Sequence, residues 1–257
     1  MWTVAEPTAT LFVIRAPPLP RILHEDDRLI IVDKPPGMLT HANRHARGTR
    51  DCVSVLSGSH GRRVHAVHRL DRLTSGLLVL AKDKEAARYL GLQFSGGDVR
   101  KIYHALVRGW PPDGFCLDED IRDHADGIPR SAWTGFTTVS RAALRLPDGR
   151  NPELRFALVA AEPGTGRRQQ IRKHLQYASF PILGDKRHGD RTYNALAAAW
   201  FGPDLMFLRA VGIGFRHPGS GQWMEPRLEP DPVWVDALVW LGLPPAEPAP
   251  RIAGPSG

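Results

Sequence analysis

Apolar residues fall along this chain in short runs divided by turn residues, and the period of the runs changes along the way. Residues 29–32 (LIIV) form a continuous apolar run that stops at Pro35-Pro36-Gly37, which predicts a short buried strand after the Asp26-Asp27 turn. HANRHARGTRD reads as a basic, apolar-poor loop, VHAVHRL as a strand, DRLTSG as a loop and LLVLAKD as a second, buried strand. Asp83 has the chemistry of an N-cap, and Glu85, Ala86, Ala87, Leu90 and Phe94 keep helical spacing up to a stop at Gly96-Gly97. VRKIYHALVRG alternates, placing Val99, Lys101, Tyr103, Ala105 and Val107 on one strand face. Residues 111–150, rich in Gly, Pro and Asp, read as a long excursion holding one short strand near WTGFTTV. ELRFALVAAEP is another strand, GTGRRQQIRKHLQYAS turns from a glycine loop into a helix, and LMFLRAVGIGF is a last strand. Strands outnumber helices without alternating regularly with them, so the pattern predicts an α+β fold around a mixed sheet, not a doubly wound parallel one. No repeat period stands out, which excludes solenoids and propellers.

The 257 residues suit one domain that buries its own core, and 42% hydrophobic with 24% charged residues excludes wholesale disorder. Folding is expected over 21–243, with a variable arm at 1–20 that ends in PPLP and a disordered Pro/Ala/Gly-rich tail at 244–257. A formal net charge of +7, carried mainly by arginine, selects polyanionic partners, nucleic acid or an anionic membrane surface. Cys52 and Cys116 make neither a disulfide framework nor a four-cysteine zinc site. The first twenty residues do not read as a secretory signal, and no apolar stretch reaches the roughly 18 residues of a membrane span, so the cytoplasm is the expected compartment.

Three features could carry chemistry. Asp71 follows a predicted strand, where burial raises a carboxyl group unless a cation such as Arg69, Arg72 or a distant arginine holds it ionised. An ionised, partly desolvated carboxylate is a good nucleophile or base; the plainer reading is an aspartate that caps its turn. Arg167, Arg168, Arg172 and Lys173 crowd the start of a predicted helix, where the dipole disfavours cations by about 0.3–1 kcal/mol each. A phosphate backbone, a buried carboxylate or both would compensate them; a solvated arginine face is the alternative. Tyr103 sits on the apolar face of its strand and reads first as a core aromatic.

HRLDRLTSGLLVLAKD resembles the signature of the RluA-type pseudouridine synthases. VDKPPGM resembles that family's Lys-Pro-x-Gly motif, KIYHALVRG its Lys-x-Tyr motif, and GTGRRQQIRKHL with PILGDKRHGD its Gln-Ile-Arg and Pro-Ile-x-Gly-Asp motifs, in the family's order and across roughly residues 21–220. The GDKRHGDRTYN run and the insertion before WTGFTTV look most like the TruC branch, which modifies uridine near the acceptor-stem end of transfer RNA. The resemblance implies a largely antiparallel central sheet flanked by helices and loops, an active-site cleft across the sheet, and isomerisation of uridine to pseudouridine without a cofactor. It further implies that Asp71 is the catalytic carboxylate, attacking the sugar carbon or removing the 2′ proton. Arg172 would be its ion-pair partner, and Tyr103 would pack on the uracil and help remove the carbon 5 proton. Arg69 would fill the stack left by the extruded base. Lys101 would support the site, and Arg72, Arg167 and Arg168, with the basic loops HANRHARGTR and SHGRRVHAVHR, would hold the RNA backbone. Two positions depart from the family: Gln169 stands where histidine is usual, and Arg209 lies near a position where the TruC branch tends to have histidine.

Transfer RNA is the expected partner and ribosomal RNA the alternative, for a monomer that needs no protein partner and no membrane. His41 and His45 have i,i+4 spacing, yet no HExxH pattern accompanies them and no metal is expected. HRLD echoes a kinase catalytic loop but lacks the glycine-rich loop before it and the DFG after it. The rival of another class is a catalytically silent RNA-binding protein on the same scaffold.

Overall fold

The computed structural model describes residues 18–42, 50–122, 127–145, 153–229 and 231–244. Residues 1–17 of the expected arm, 245–257 of the expected tail and most of the basic HANRHARGTR loop lie outside these residues. The chain runs β1 (Arg21–Glu25), β2 (Leu29–Lys34), α1 (Cys52–His60), β3 (His65–Ala66), β4 (Ser75–Ala81), α2 (Lys84–Gly96), β5 (Arg100–Arg108), β6 (Gly114–Asp118), β7 (Ile121–Arg122), β8 (Pro129–Arg130), β9 (Trp133–Leu144), β10 (Leu154–Pro163), α3 (Gln170–Tyr177), α4 (Arg191–Phe201), β11 (Leu208–Arg216), β12 (Trp223–Met224) and α5 (Pro232–Leu241).

One sheet carries the fold in the order β1-β2-β4-β11-β5-β10-β9-β6, with β3 beside β4 and β12 beside β11. Neighbours are antiparallel except β4 and β11, so the sheet is mixed and largely antiparallel, as the strand pattern and the resemblance predict. The parallel pair decides where chemistry can sit. Ala210 of β11 lies opposite Gly76 of β4 on one side and Tyr103 of β5 on the other, while Ala161 of β10 also faces Tyr103. The loop ahead of β4, the middle of β5 and the β10–α3 connection therefore converge on one level of the sheet, within a few strand spacings of about 4.8 Å. A β-carbon on Gly76, whose φ is 109°, would collide with the Ala210 carbonyl, so only glycine allows β11 this close.

The pattern of residues 29–32 and 75–81 is the pattern of burial: all seven residues of β4 are buried, and Leu29, Ile30, Ile31 and Val32 are fully so. They pack with Leu56 of α1 and Ala86 and Leu90 of α2, each large side chain contributing about 1.5–3 kcal/mol. Asp83 caps α2 by accepting from the Ala86 N–H at 2.8 Å, as its position predicts.

Several expectations need correction. VHAVHRL is a strand only at His65–Ala66; beyond it the chain leaves the sheet to form the loop that carries Asp71. Residues 52–60, which show no clear period, form α1 because Asp51 caps them and Leu39 and Thr40 carbonyls anchor the first turn. Among its described residues the excursion at 111–150 holds four strands, with β9 twelve residues long, because β6 and β10 supply partners for its polar, weakly alternating sequence. Helices α4 and α5 have no counterpart in the predicted pattern; their Trp200, Trp234 and Leu238 close a second part of the core against Phe156 and Phe207.

Candidate active site

Asp71 stands in the loop ahead of β4, and the backbone on both sides of it is held by the segment that follows β2. Thr40 Oγ1 donates to the Leu70 carbonyl at 3.2 Å and accepts from the Leu70 N–H at 3.1 Å. The Arg72 carbonyl accepts from the Gly37 N–H at 2.8 Å and from Lys34 Nζ at 3.2 Å. Lys34, wholly buried, also donates to the carbonyls of Pro35 (2.9 Å) and Met38 (2.8 Å). Burial pulls its ammonium down to about 8, against the opposing pull of Cys52, Asp71 and Asp33.

Across the cleft, Arg172 of α3 donates from Nη1 to Asp71 Oδ2 at 2.8 Å. Its other edge forms a fork onto Asp185, with Nε to Oδ2 at 2.6 Å and Nη2 to Oδ1 at 2.7 Å. Burial works against the guanidinium's charge, but the two carboxylates outweigh it and Arg172 is raised above its ordinary value. Burial likewise pushes Asp185 up; Arg172 and the backbone N–H groups of Arg187 and His188 more than reverse this, and its carboxyl lies below the usual range. One guanidinium thus answers two carboxylates. Among the described residues Asp71 Oδ1 has no hydrogen-bond partner, and its side chain keeps 23% exposure.

Asp71 lines a cleft of about 540 Å³, together with Tyr103, Lys101, Leu208, Phe94 and the 165–172 segment. The phenol of Tyr103 is raised by burial and then by the charge of Asp71, so it is neutral. His68 stacks on Phe94 at 4.4 Å and accepts from the Val79 N–H at 2.9 Å. Burial, with Lys101 adding to it, pushes its imidazole down to about 3, so it carries no charge. The start of α3 has a left-handed Gln169 in place of a capping hydroxyl or carboxylate. Gln170 braces it instead: its Oε1 accepts from Thr165 Oγ1 and the Arg167 N–H, and its Nε2 donates to the Trp133 carbonyl and Thr134 Oγ1.

The family model described as RNA pseudouridylate synthase matches residues 28–177. The chain belongs to that family. It is 37% identical over 236 residues to the tRNA pseudouridine synthase C of Salmonella typhimurium, covering 86% of this chain and 91% of that one. To the tRNA pseudouridine synthase C of Yersinia pestis it is 32% identical over 238 residues, covering 87% and 93%. Among solved structures, human RNA pseudouridylate synthase domain containing 4 superposes with a TM-score of 0.68 at 24% identity, over 88% of this chain and 95% of that one. Human RNA pseudouridylate synthase domain containing 1 superposes at 0.65 with 20% identity, covering 89% and 97%. These likenesses support the fold. The protein is an enzyme that isomerises uridine to pseudouridine.

In this pseudouridine synthase the cleft gathers Asp71, Arg172, Tyr103, Lys101, Arg69, Arg167 and Arg168. Arg72 is exposed and lines an adjoining groove instead. Lys101 turns its ammonium to the Thr165 carbonyl at 3.0 Å, so it pins the loop leading to α3. Arg167 gives its Nε to the Ser131 carbonyl at 3.0 Å. Gln169 lines the cleft and bonds His188 Nε2 at 3.0 Å, whereas Arg209 is buried outside it, on Asp33 at 2.8 Å. Asp185 and Lys34 were not singled out from sequence. Both lie in the quoted motifs PILGDKRHGD and VDKPPGM, and a buried charge in each motif was the available signal.

Proposed function

We propose that this synthase converts a uridine of transfer RNA, with Asp71 as catalytic carboxylate. The observation that carries the reading is the Asp71–Arg172 ion pair at the bottom of the cleft, with one carboxylate oxygen left free. The base is extruded into the cleft, at a cost of a few kcal/mol, and Arg69, exposed at its mouth, takes the vacated place in the stack. Asp71 then attacks the sugar carbon or removes the 2′ proton, and either way Arg172, aimed by Asp185, holds the carboxylate in place. Uracil, freed and turned, rejoins the ribose through carbon 5 against the ring of Tyr103. A neutral phenol accepts the carbon 5 proton only as it passes its own on, and Asp71, whose charge Tyr103 already feels, is the acceptor at hand. Arg72, Arg167 and Arg168 contact the RNA backbone at the rim, while Lys101 acts through the Thr165 loop.

The names of the relatives, tRNA pseudouridine synthase C, support transfer RNA over ribosomal RNA. The reading keeps a cytoplasmic monomer that uses no cofactor and no protein partner, with no helix among the described residues long and apolar enough to cross a membrane. The test is to map pseudouridine in transfer and ribosomal RNA of cells lacking the gene, together with tritium release from carbon-5-labelled uridine by the purified protein. A transfer RNA site should disappear. Loss confined to ribosomal RNA would select the alternative substrate, and absence of tritium release from every RNA would favour the silent RNA-binding protein.

A further inference from the structure

The cleft does not end at Asp71. A groove of about 270 Å³ continues past Asp71 along Thr40, His41, Arg69 and Arg72. Beyond it a third, of about 450 Å³, runs between α1 and the 63–69 segment, lined by His41, Arg63, His65 and Arg69 together with Val53 and Val67. Arg69 borders all three. Among the described residues no carboxylate lines the third groove, and Asp71, the acid of the second, is already paired with Arg172. The acid that caps α1, Asp51, is buried on the Ser54 N–H and hydroxyl. Among the described residues none of Arg63, His65 and Arg69 has an ion-pair or hydrogen-bond partner for its side chain. Unpaired cations beside apolar wall, with acids turned away, make a surface for a polyanion that also offers flat apolar faces.

We propose, resting on the reading of the site given above, that this groove seats the strand of substrate RNA that flanks the extruded nucleotide. Arg63 and His65 hold its phosphates, and the half-buried Val53 and Val67 take the faces of its sugars and bases. Continuity with the catalytic cleft supplies the occupant: a nucleotide held at Asp71 has its neighbour only one backbone step away, and Arg69 stands at the junction. Arginine suits the role through its forked donors, and an imidazole presents an N–H in either protonation state. These contacts are far from the reacting atoms and so contribute equally to ground and transition states; they set affinity and leave the chemical step alone.

The test measures binding of unmodified transfer RNA to the full-length protein between about 50 and 200 mM salt, for the native chain, the double variant Arg63→Ala with His65→Ala, and Arg191→Ala, a surface change in α4 that lines none of the three grooves. The double variant should bind roughly tenfold more weakly, with the slope of log affinity against log salt shallower by about one. Its single-turnover rate at saturating RNA should match the native rate, as should that of Arg191→Ala, whose affinity should also be native. Arg63→Glu, an exposed single change, serves if the double variant melts early, and should weaken binding further. Native affinity and slope in these variants would overturn the groove. Tritium release by the native protein reports separately on the proposed function, so an inactive protein whose binding still depends on Arg63 would refute that function and leave the groove standing.

Discussion

Arg172 Nη1 and Asp71 Oδ2 meet at 2.8 Å across 101 positions of chain, while Asp185, 13 positions further on, grips the opposite edge of the same guanidinium. The pairing with Asp185 is the tighter, and it aims Arg172. Asp71 receives one donor, and among the described residues its other oxygen receives none.

In the proposed mechanism Asp71→Asn removes the charge that the chemistry uses, and it removes little that the fold uses. Arg172 keeps Asp185, and position 71 keeps its clamps from Thr40, Gly37 and Lys34. Tritium release should fall below detection, with transfer RNA affinity and melting temperature close to native. A variant with native turnover would remove Asp71 from the mechanism.

Arg172→Ala strands a fully buried carboxylate at Asp185 and should cost about 3–5 kcal/mol of stability as well as activity. Because Asp185 lies below the ordinary aspartate value in the folded protein, its contribution is complete above about pH 3.9 and fades as pH falls through the lowered value. Denaturant titrations should therefore show a gap between native protein and variant that is largest near neutral pH and narrows as pH falls.

Lys34 is a positioning residue. Its ammonium at about 8 holds three carbonyls of two loops, and the neutral amine above that pH has one donor fewer. Between this value and the ordinary lysine value near 10.4 the unfolded chain binds the proton that the folded chain has released, so this group makes stability rise with pH there. Turnover should instead fall above about pH 8 as the Asp71 loop loosens. In Lys34→Met, turnover should already be low at pH 7 and the inflection near 8 absent from the kcat profile; an unchanged profile would deny Lys34 this role.

Tyr103→Phe keeps the ring and loses the phenol oxygen. With the hydroxyl acting in proton transfer, the single-turnover rate should drop roughly 10²-fold or more, while RNA affinity stays within a few-fold. A native rate would leave Tyr103 as a stacking surface alone.

The sequence by itself determined much of this protein. Continuous apolar runs at 29–32 and 77–80 require burial on both faces and became the inner strands β2 and β4. Asp83 and Gly97 bound α2 by local capping chemistry, and the unfavourable cation at the start of α3 demanded an anion. Caps equally legible, Asp190 with Gly202 and Asp231-Pro232 with Gly242, marked α4 and α5 and went unread. α1 was less legible, since Ser, Gly and valine in CVSVLSGSH disfavour helix and its support comes from Leu39 and Thr40. Only the tertiary structure decided which anion answers Arg172, that Lys101 points to Thr165 while Arg72 lies outside the cleft, and that three grooves share Arg69. Period and capping act within a few residues and are written locally. A salt bridge across 101 residues depends on where β11 lies between β4 and β5, and that placement is set by packing of the whole sheet, not by any one segment.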